Sequence, residues 1–272
     1  MPSTLVTVGV GLAVAVTVLT VLAAAIAVVG KLGLGRQIVV AALRAVLQLA
    51  AVSLVIASIV RSLPLTVVFI AAMATVASAT AGRRMTAGWH GWWAAVPVLA
   101  GSTPVVVGLV LGGLLPTTGL ALIPVTGILI GGAMTATALA GRRALDELRQ
   151  RRGEVEAGLS LGLSERDAAL EVCRPAAGQA LMPALDQTRT VGLVTLPGAF
   201  VGMLLGGASP VAAGAVQLFV LVALLAVETV AVVLVVELIA RGRISQEPLS
   251  GPSPTTRRRP HILARRAQRS PT

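Results

Sequence analysis

Long apolar runs separated by short polar breaks set the character of this chain. Seven of them lie near 4–29, 37–60, 64–82, 92–115, 119–141, 189–206 and 211–240. A helix needs about 20 apolar residues to cross a bilayer at about 1.5 Å per residue, and each run reaches or approaches that length. The pattern predicts an all-α, polytopic integral membrane protein with about seven transmembrane helices. The membrane domain is expected over 1–244, interrupted by a polar loop at 142–188. The segment 245–272, rich in Pro, Ser, Thr and Arg, reads as a disordered basic tail. The run at 189–206 is the shortest and is rich in Gly.

Composition supports this reading. Hydrophobic residues make up 56% of the chain and charged ones 12%, against about 25% charged in a soluble domain. The net charge of +11 does not point to nucleic acid. The arginines gather at the ends of apolar runs and in the tail, and three Trp, three Phe and no Tyr leave no platform for stacking bases. The partner these charges imply is the lipid bilayer. Lys31 and Arg36, Arg83 and Arg84, the loop arginines and the tail arginines all fall in alternate connections. The positive-inside rule then puts the N-terminus outside and the C-terminus in the cytosol. Trp89, Trp92 and Trp93 mark an interface at the start of the fourth run. The first apolar run has no basic residue before it, so it is expected to be a retained span. The single cysteine, Cys173, excludes an intrachain disulfide and reads as a small apolar residue in a helix. Small residues recur at Gly108, Gly112 and Gly113, at Gly127, Gly131 and Gly132, and at Gly202, Gly206 and Gly207. Such spacing predicts close helix packing in lipid.

The loop holds eight acids and eight bases between Arg142 and Arg189. Topology alone would need only the bases, so mixed charge predicts folded, water-facing helices. Ala144–Gln150 continues the fifth span as helix. Ser160–Leu163 breaks the pattern, with Gly162 at a turn. Ser164 and Asp167 form a capping-box arrangement for a second helix. Pro175 is expected to end or bend that helix.

This loop resembles the ATPase-docking loop of ABC importer permeases, written Glu-Ala-Ala, three residues, Gly, nine residues, an aliphatic, one residue, Leu, Pro. The chain places Glu156, Ala157, Gly158, Gly162, Val172 and Pro175 at those spacings. It departs with Gly158 for Ala and Arg174 for Leu. Arg44–Leu49, Ile123–Gly127 with Gly131 and Met134, and Thr190–Gly198 with Gly206, Ser209 and Pro210 are similar to the blocks of one family. That family is the bacterial iron-export ABC permeases, which includes plant aluminium-tolerance membrane subunits. The resemblance covers about 35–240. It departs at Gly132, where Asn is expected, so a side-chain amide is missing. The resemblance implies a multi-pass subunit of the bacterial inner (plasma) membrane that exports iron or a related solute. It also implies a homodimer of the permease bound to a separate ABC ATPase subunit. The chain is expected to bind no cofactor itself, with ATP on the partner. No Gly-x-x-x-x-Gly-Lys-Ser/Thr phosphate loop exists, since the only lysine, Lys31, is followed by Leu32. The chain is therefore not an enzyme by itself.

Polar groups inside spans are the candidates for a translocation path. Arg44 and Gln48 lie one turn apart on the second span, Arg44 about 12 Å in from its cytosolic end. Glu228 and Glu237 lie about 18–20 Å and about 6 Å into the last span. One of them is expected to pair with Arg44. Met134, Met203 and hydroxyls such as Thr135 complete the candidate path. No His or Cys pair with metal-ligand spacing exists, and His90 and His261 fall outside the spans. A metal passing here would be handled weakly, and no metal ligand set is named. Three rivals stay open: an ABC importer permease, a proton-driven secondary transporter using Glu228, and a non-transporting scaffold.

Overall fold

The computed structural model describes residues 9–86 and 89–245. The expected disordered tail, His261 and the side chains of Trp89 and His90 lie outside the described residues. Ten α-helices follow in order: α1 (Val10–Val29), α2 (Gly35–Ile59), α3 (Leu63–Met85), α4 (Ala95–Leu111), α5 (Gly119–Gln150), α6 (Arg152–Ser160), α7 (Glu165–Gly178), α8 (Met182–Thr190), α9 (Gly198–Leu205) and α10 (Pro210–Ala240). Short 3-10 turns at Trp89–Ala94 and Gln179–Leu181 precede α4 and α8. Among the described residues the sole strand-like pairing is an isolated bridge between Val191 and Thr195. The all-α membrane architecture is as the apolar runs predict.

Six stretches are long and apolar enough to cross a bilayer among the described residues. They are α1, α2 over Gly35–Leu54, α3, Gly91–Leu111, α5 and α10. The expected seventh, at 189–206, is not one helix. α8 ends at Thr190, the backbone runs irregularly from Val191 to Pro197, and α9 holds only eight residues. Gly192 at φ 80° and Pro197 on the far side make the break. Gly192 permits the left-handed backbone and Pro197 lacks an amide donor, so both interrupt helical hydrogen bonding.

The chain divides into two compact units, the first comprising Met1–Ala74 and Pro104–Ile128. Here α1 and α2 form a hairpin. Its turn is closed by the Gly30 amide on the Ile26 carbonyl (2.8 Å) and the Leu32 amide on Ala27 (2.9 Å). A Cβ on Gly35 would stand 2.8 Å from Val28 Cγ2, so glycine sets how closely the two helices meet. Arg44 and Gln48 both lie on exposed positions of α2.

The second unit comprises Thr75–Thr103 and Leu129–Thr272. Its axis is α10, which packs on α7, α8 and α9. One face of α10 is buried along its length through Ala213, Gln217, Leu221, Leu224, Glu228, Ala231 and Val235. The three- and four-residue steps are those of a single helix face. Helices approach here at backbone distance. A Cβ on Gly101 of α4 would lie 2.9 Å from the Val227 carbonyl, and one on Gly132 of α5 would lie 2.3 Å from Leu224 Cδ1. Not every predicted small residue works this way: Gly108, Gly131 and Gly202 have nothing within 4 Å. Several span hydroxyls bond the carbonyl four residues back, as Ser102 does to Val98 (2.7 Å) and Thr229 to Leu225 (2.7 Å). The buried hydroxyls of Thr126 and Thr137 on α5 have no hydrogen-bond partner among the described residues.

Candidate functional site

The charged loop folds as a helix-turn-helix. α5 runs on past the apolar run for a total of 32 residues, about 48 Å against a hydrocarbon core of about 30 Å. Its last turns therefore stand clear of the apolar layer. α6 follows, and the chain reverses at Leu161–Leu163, where Gly162 takes φ 91°. Side chains seldom adopt that conformation, so glycine is required there. Ser164 then caps α7: its hydroxyl accepts from the Asp167 amide (3.1 Å) and donates to the Asp167 carboxylate (2.7 Å). Turn and cap both stand where the residue pattern puts them.

The two arms face differently. α6 buries no residue. Glu156 is exposed and pairs with Arg152 (2.9 Å), and Ala157 is exposed beside it. Gly158 faces α7; a Cβ there would press on Ala168 Cβ at 3.2 Å, which accounts for glycine where the resemblance expects Ala. Leu159, Leu161 and Leu163 line the turn, and Leu161 is 87% exposed. α7 is the anchoring arm. Leu170, Val172, Cys173 and Ala177 are buried. Val172 thus packs inward and presents nothing to a partner, contrary to its place among the expected docking residues. The Cys173 thiol donates to the Ala144 carbonyl of α5 (3.7 Å). Burial, with the Glu147 carboxylate adding to it, pushes that thiol up to about 11. Pro175 does not end α7, which continues to Gly178. Pro175 and Glu171, whose carbonyl loses its partner to the proline, both lie on the exposed side.

An ion pair ties this loop to the last span. Arg166 of α7 donates from Nε to Glu237 Oε1 (2.7 Å) and from Nη2 to Oε2 (2.8 Å), a two-pronged contact across 71 residues of chain. Arg241 adds a bond to the same carboxylate (2.6 Å). The Glu237 hydrogen bond raises the Arg166 guanidinium above its usual range. Glu237 is therefore engaged within its own unit by Arg166 and Arg241. Arg44 and Gln48 belong to the first unit and Glu228 to the second.

Glu228 lies 8% exposed on the inner face of α10. Its Oε1 stands 2.9 Å from where a Cβ of Gly132 would be. The missing amide at Gly132 thus leaves no gap, because Leu224 and Glu228 occupy that space. Met134 on α5 and Met203 on α9 are both half-buried. Among the described residues no group of three His, Cys, Asp or Glu is placed to hold a metal ion.

The residue reading missed Gln217. It is 5% exposed on the same face of α10, and its Oε1 has no hydrogen-bond partner. It lines a cavity of about 190 Å³ with Val191, Gly192, Pro197, Phe200 and Gly214. The signal was visible: Gln217 is the sole amide in the run 211–240.

The chain matches the family described as UPF0014, an uncharacterised protein family, over residues 10–244. It is 36% identical over 226 residues to the rice (Oryza sativa subsp. japonica) UPF0014 membrane protein STAR2, covering 81% of this chain and 79% of that one. It is 39% identical over 150 residues to Protein ALUMINUM SENSITIVE 3 of Arabidopsis thaliana, covering 55% of each chain. It is 33% identical over 144 residues to the probable iron export permease protein FetB of Escherichia coli, covering 52% of this chain and 53% of that one. No solved structure matches it.

Proposed function

The chain belongs to the UPF0014 family, and from that membership and the geometry of the helix-turn-helix we propose that it is the membrane subunit of an ATP-driven ABC transporter. In this reading a separate ATPase docks on the 142–188 loop, which faces the cytosol. The cargo is iron or a related metal, moved outward by a homodimer of the subunit in the bacterial inner membrane. The relative described as a probable iron export permease supports the cargo and direction. This sequence holds no phosphate loop, so ATP-driven transport in this reading relies on a separate ATPase.

The observation that carries the proposal is the tip of the loop. Leu161 is 87% exposed on a turn held by Gly162, at the end of an arm that buries nothing of its own. α7 and the Arg166–Glu237 pair fix that arm to α10, so force applied at the tip reaches a span. Burying one leucine is worth about 1.5–3 kcal/mol. Leu161→Glu should then weaken ATPase association by tenfold or more. The test co-expresses the tagged chain with the ABC ATPase from its own genome and measures co-purification. Undiminished association of the Leu161→Glu and Glu156→Ala variants would overturn the docking role.

A second reading rests on Glu228, a buried carboxylate with no ion pair among the described residues. Such a group suits proton-coupled transport. Transport into vesicles driven by a pH gradient without ATP would favour it.

A further inference from the structure

A cleft opens between α7, the 3-10 turn that follows it and the last third of α10. It holds about 270 Å³, and all its residues belong to the second unit. Leu170, Leu181, Val232, Val233 and Val236 give it apolar walls, and Arg174 and Glu237 bring charge to it. The two charges are not equivalent. The Glu237 carboxylate is already met by Arg166 and Arg241. Arg174 is exposed and makes no ion pair among the described residues. The cleft therefore sets a cation without a counter-charge beside apolar surface. Arg174 also stands where the resembled docking loop has Leu, so the docking reading leaves this charge without a use. Gly178 lines the cleft as well, and a Cβ there would meet nothing within 4 Å, so the wall is open at that point.

We propose that this cleft holds one anionic phospholipid, with its phosphate on the Arg174 guanidinium and the first carbons of an acyl chain against Leu181 and Val233. α10 is 31 residues long, about 46 Å against an apolar layer of about 30 Å. Part of it therefore lies at the level of the headgroups. Charge and tryptophan say which part. The sequence carries no charged residue from Thr190 to Val227, whereas Glu237, Arg241 and Arg243 stand at the far end of α10. There Arg243 lies over the Trp93 ring at 5.3 Å, and tryptophan with arginine marks the membrane–water interface. Val233 is 61% exposed on this side of the span, open to acyl chains. A basic pocket between helices at this level suits a phosphate-bearing headgroup. The guanidinium fork matches phosphate oxygens, and its stem lies along apolar surface. A zwitterionic headgroup would bring a cation of its own among Arg166, Arg174 and Arg241, and an anionic one would not. The proposal uses the reading above only to name the leaflet, the cytosolic one, and does not depend on ATPase docking.

The test uses the full-length chain in detergent with no ATPase present. It is titrated with dioctanoyl phosphatidylglycerol or dioctanoyl phosphatidylcholine, and native mass spectrometry counts the lipids bound per chain. The wild type should hold phosphatidylglycerol about tenfold more tightly than phosphatidylcholine, the factor expected of one charge-assisted contact. Arg174→Gln should abolish that preference and leave the melting of lipid-free protein unchanged, since Arg174 is exposed. Gly178→Phe, which fills the cleft, should weaken binding of both lipids. Arg149→Gln, an exposed arginine that does not line the cleft, should bind as the wild type does. Equal affinity of the wild type for the two lipids would overturn the proposal, as would an undiminished preference in Arg174→Gln. Displacement of phosphatidylglycerol by inorganic phosphate alone would also overturn it, by making the cleft a site for a free anion. A smaller oligomer in Gly178→Phe with lipid binding retained would assign the face to a second copy of the chain instead. Loss of ATPase association in Arg174→Gln with the lipid preference intact would assign Arg174 to docking. The Leu161→Glu docking experiment can fail without moving any of these lipid readouts.

Discussion

Breaking the Arg166–Glu237 contact should uncouple the loop from the span while leaving the loop folded. In Glu237→Gln the side chain keeps its length and one acceptor, but the charge that Arg166 and Arg241 share is gone. The pair is two-pronged, with bonds of 2.7 and 2.8 Å, and its side chains are 42% and 23% exposed. A fully exposed pair would be worth about 0–1 kcal/mol. Hydrogen bonds to a charged group away from water reach about 1.5–3 kcal/mol. Arg166 is open to solvent, which screens the pair, so its loss falls within the range of an exposed pair. In a chain of this size the melting temperature should therefore fall by no more than about 2–4 °C. The buried side chains of α7, Leu170, Val172 and Cys173, remain in place, so the ATPase should still co-purify. ATP-driven metal transport in proteoliposomes should fall several-fold more than binding does. The exchange of charges, Arg166→Glu with Glu237→Arg, should recover part of that loss. Transport at the wild-type rate in Glu237→Gln would refute the reasoning. So would loss of ATPase binding with transport and melting unchanged in proportion, since the clamp would then be part of the docking surface.

Gly162→Ala should cost about 1–3 kcal/mol, because φ 91° is forced on a residue with a Cβ; a melting scan of the purified protein checks this, and an unchanged midpoint would mean the turn readjusts freely. Gly132→Ala should cost about 1–3 kcal/mol by overpacking, since the new methyl meets Leu224 at 2.3 Å. Adding Leu224→Ala should return part of it, and strict additivity in that double-mutant cycle would show the two sites do not touch. Cys173, with its thiol pushed up to about 11, should resist maleimide in the native protein at pH 8. Its labelling should rise with pH toward that value, because the thiolate is the reacting form, and rapid native labelling at pH 8 would contradict its burial.

Local chemistry was readable wherever it depended on a residue's own backbone preferences. Gly162 and the Ser164–Asp167 cap declare a turn and a helix start without reference to the rest of the chain. The loop was therefore legible in detail. Side-chain facing was not. Val172 sits at the expected spacing but is 4% exposed, because α7 uses that side to pack on the unit, and spacing alone does not say which face a helix turns inward. Pro175 was expected to end or bend α7. An exposed proline costs a helix less than a buried one, since the freed carbonyl can bond water. The run 189–206 shows the limit of hydropathy. Gly192 and Pro197 are uncharged and sit among apolar neighbours that carry the run's hydropathy, yet they set the backbone where α8 and α9 separate. Partner choice was the least legible part. Glu237 lies near Arg241 in sequence, but Arg166 reaches it only through the fold of the loop.

Between Gly214 and its end at Ala240, α10 contains neither glycine nor proline. Nothing in those 26 residues favours a kink, so the helix acts as a torsion rod. Glu237 grips one end and Gln217 lies 20 residues away toward the other, about 30 Å along the axis. At a side-chain radius of about 5–6 Å, a twist of about 20° would displace each group by about 2 Å. The same small rotation would arrive at both ends at once, with no domain having to travel between them.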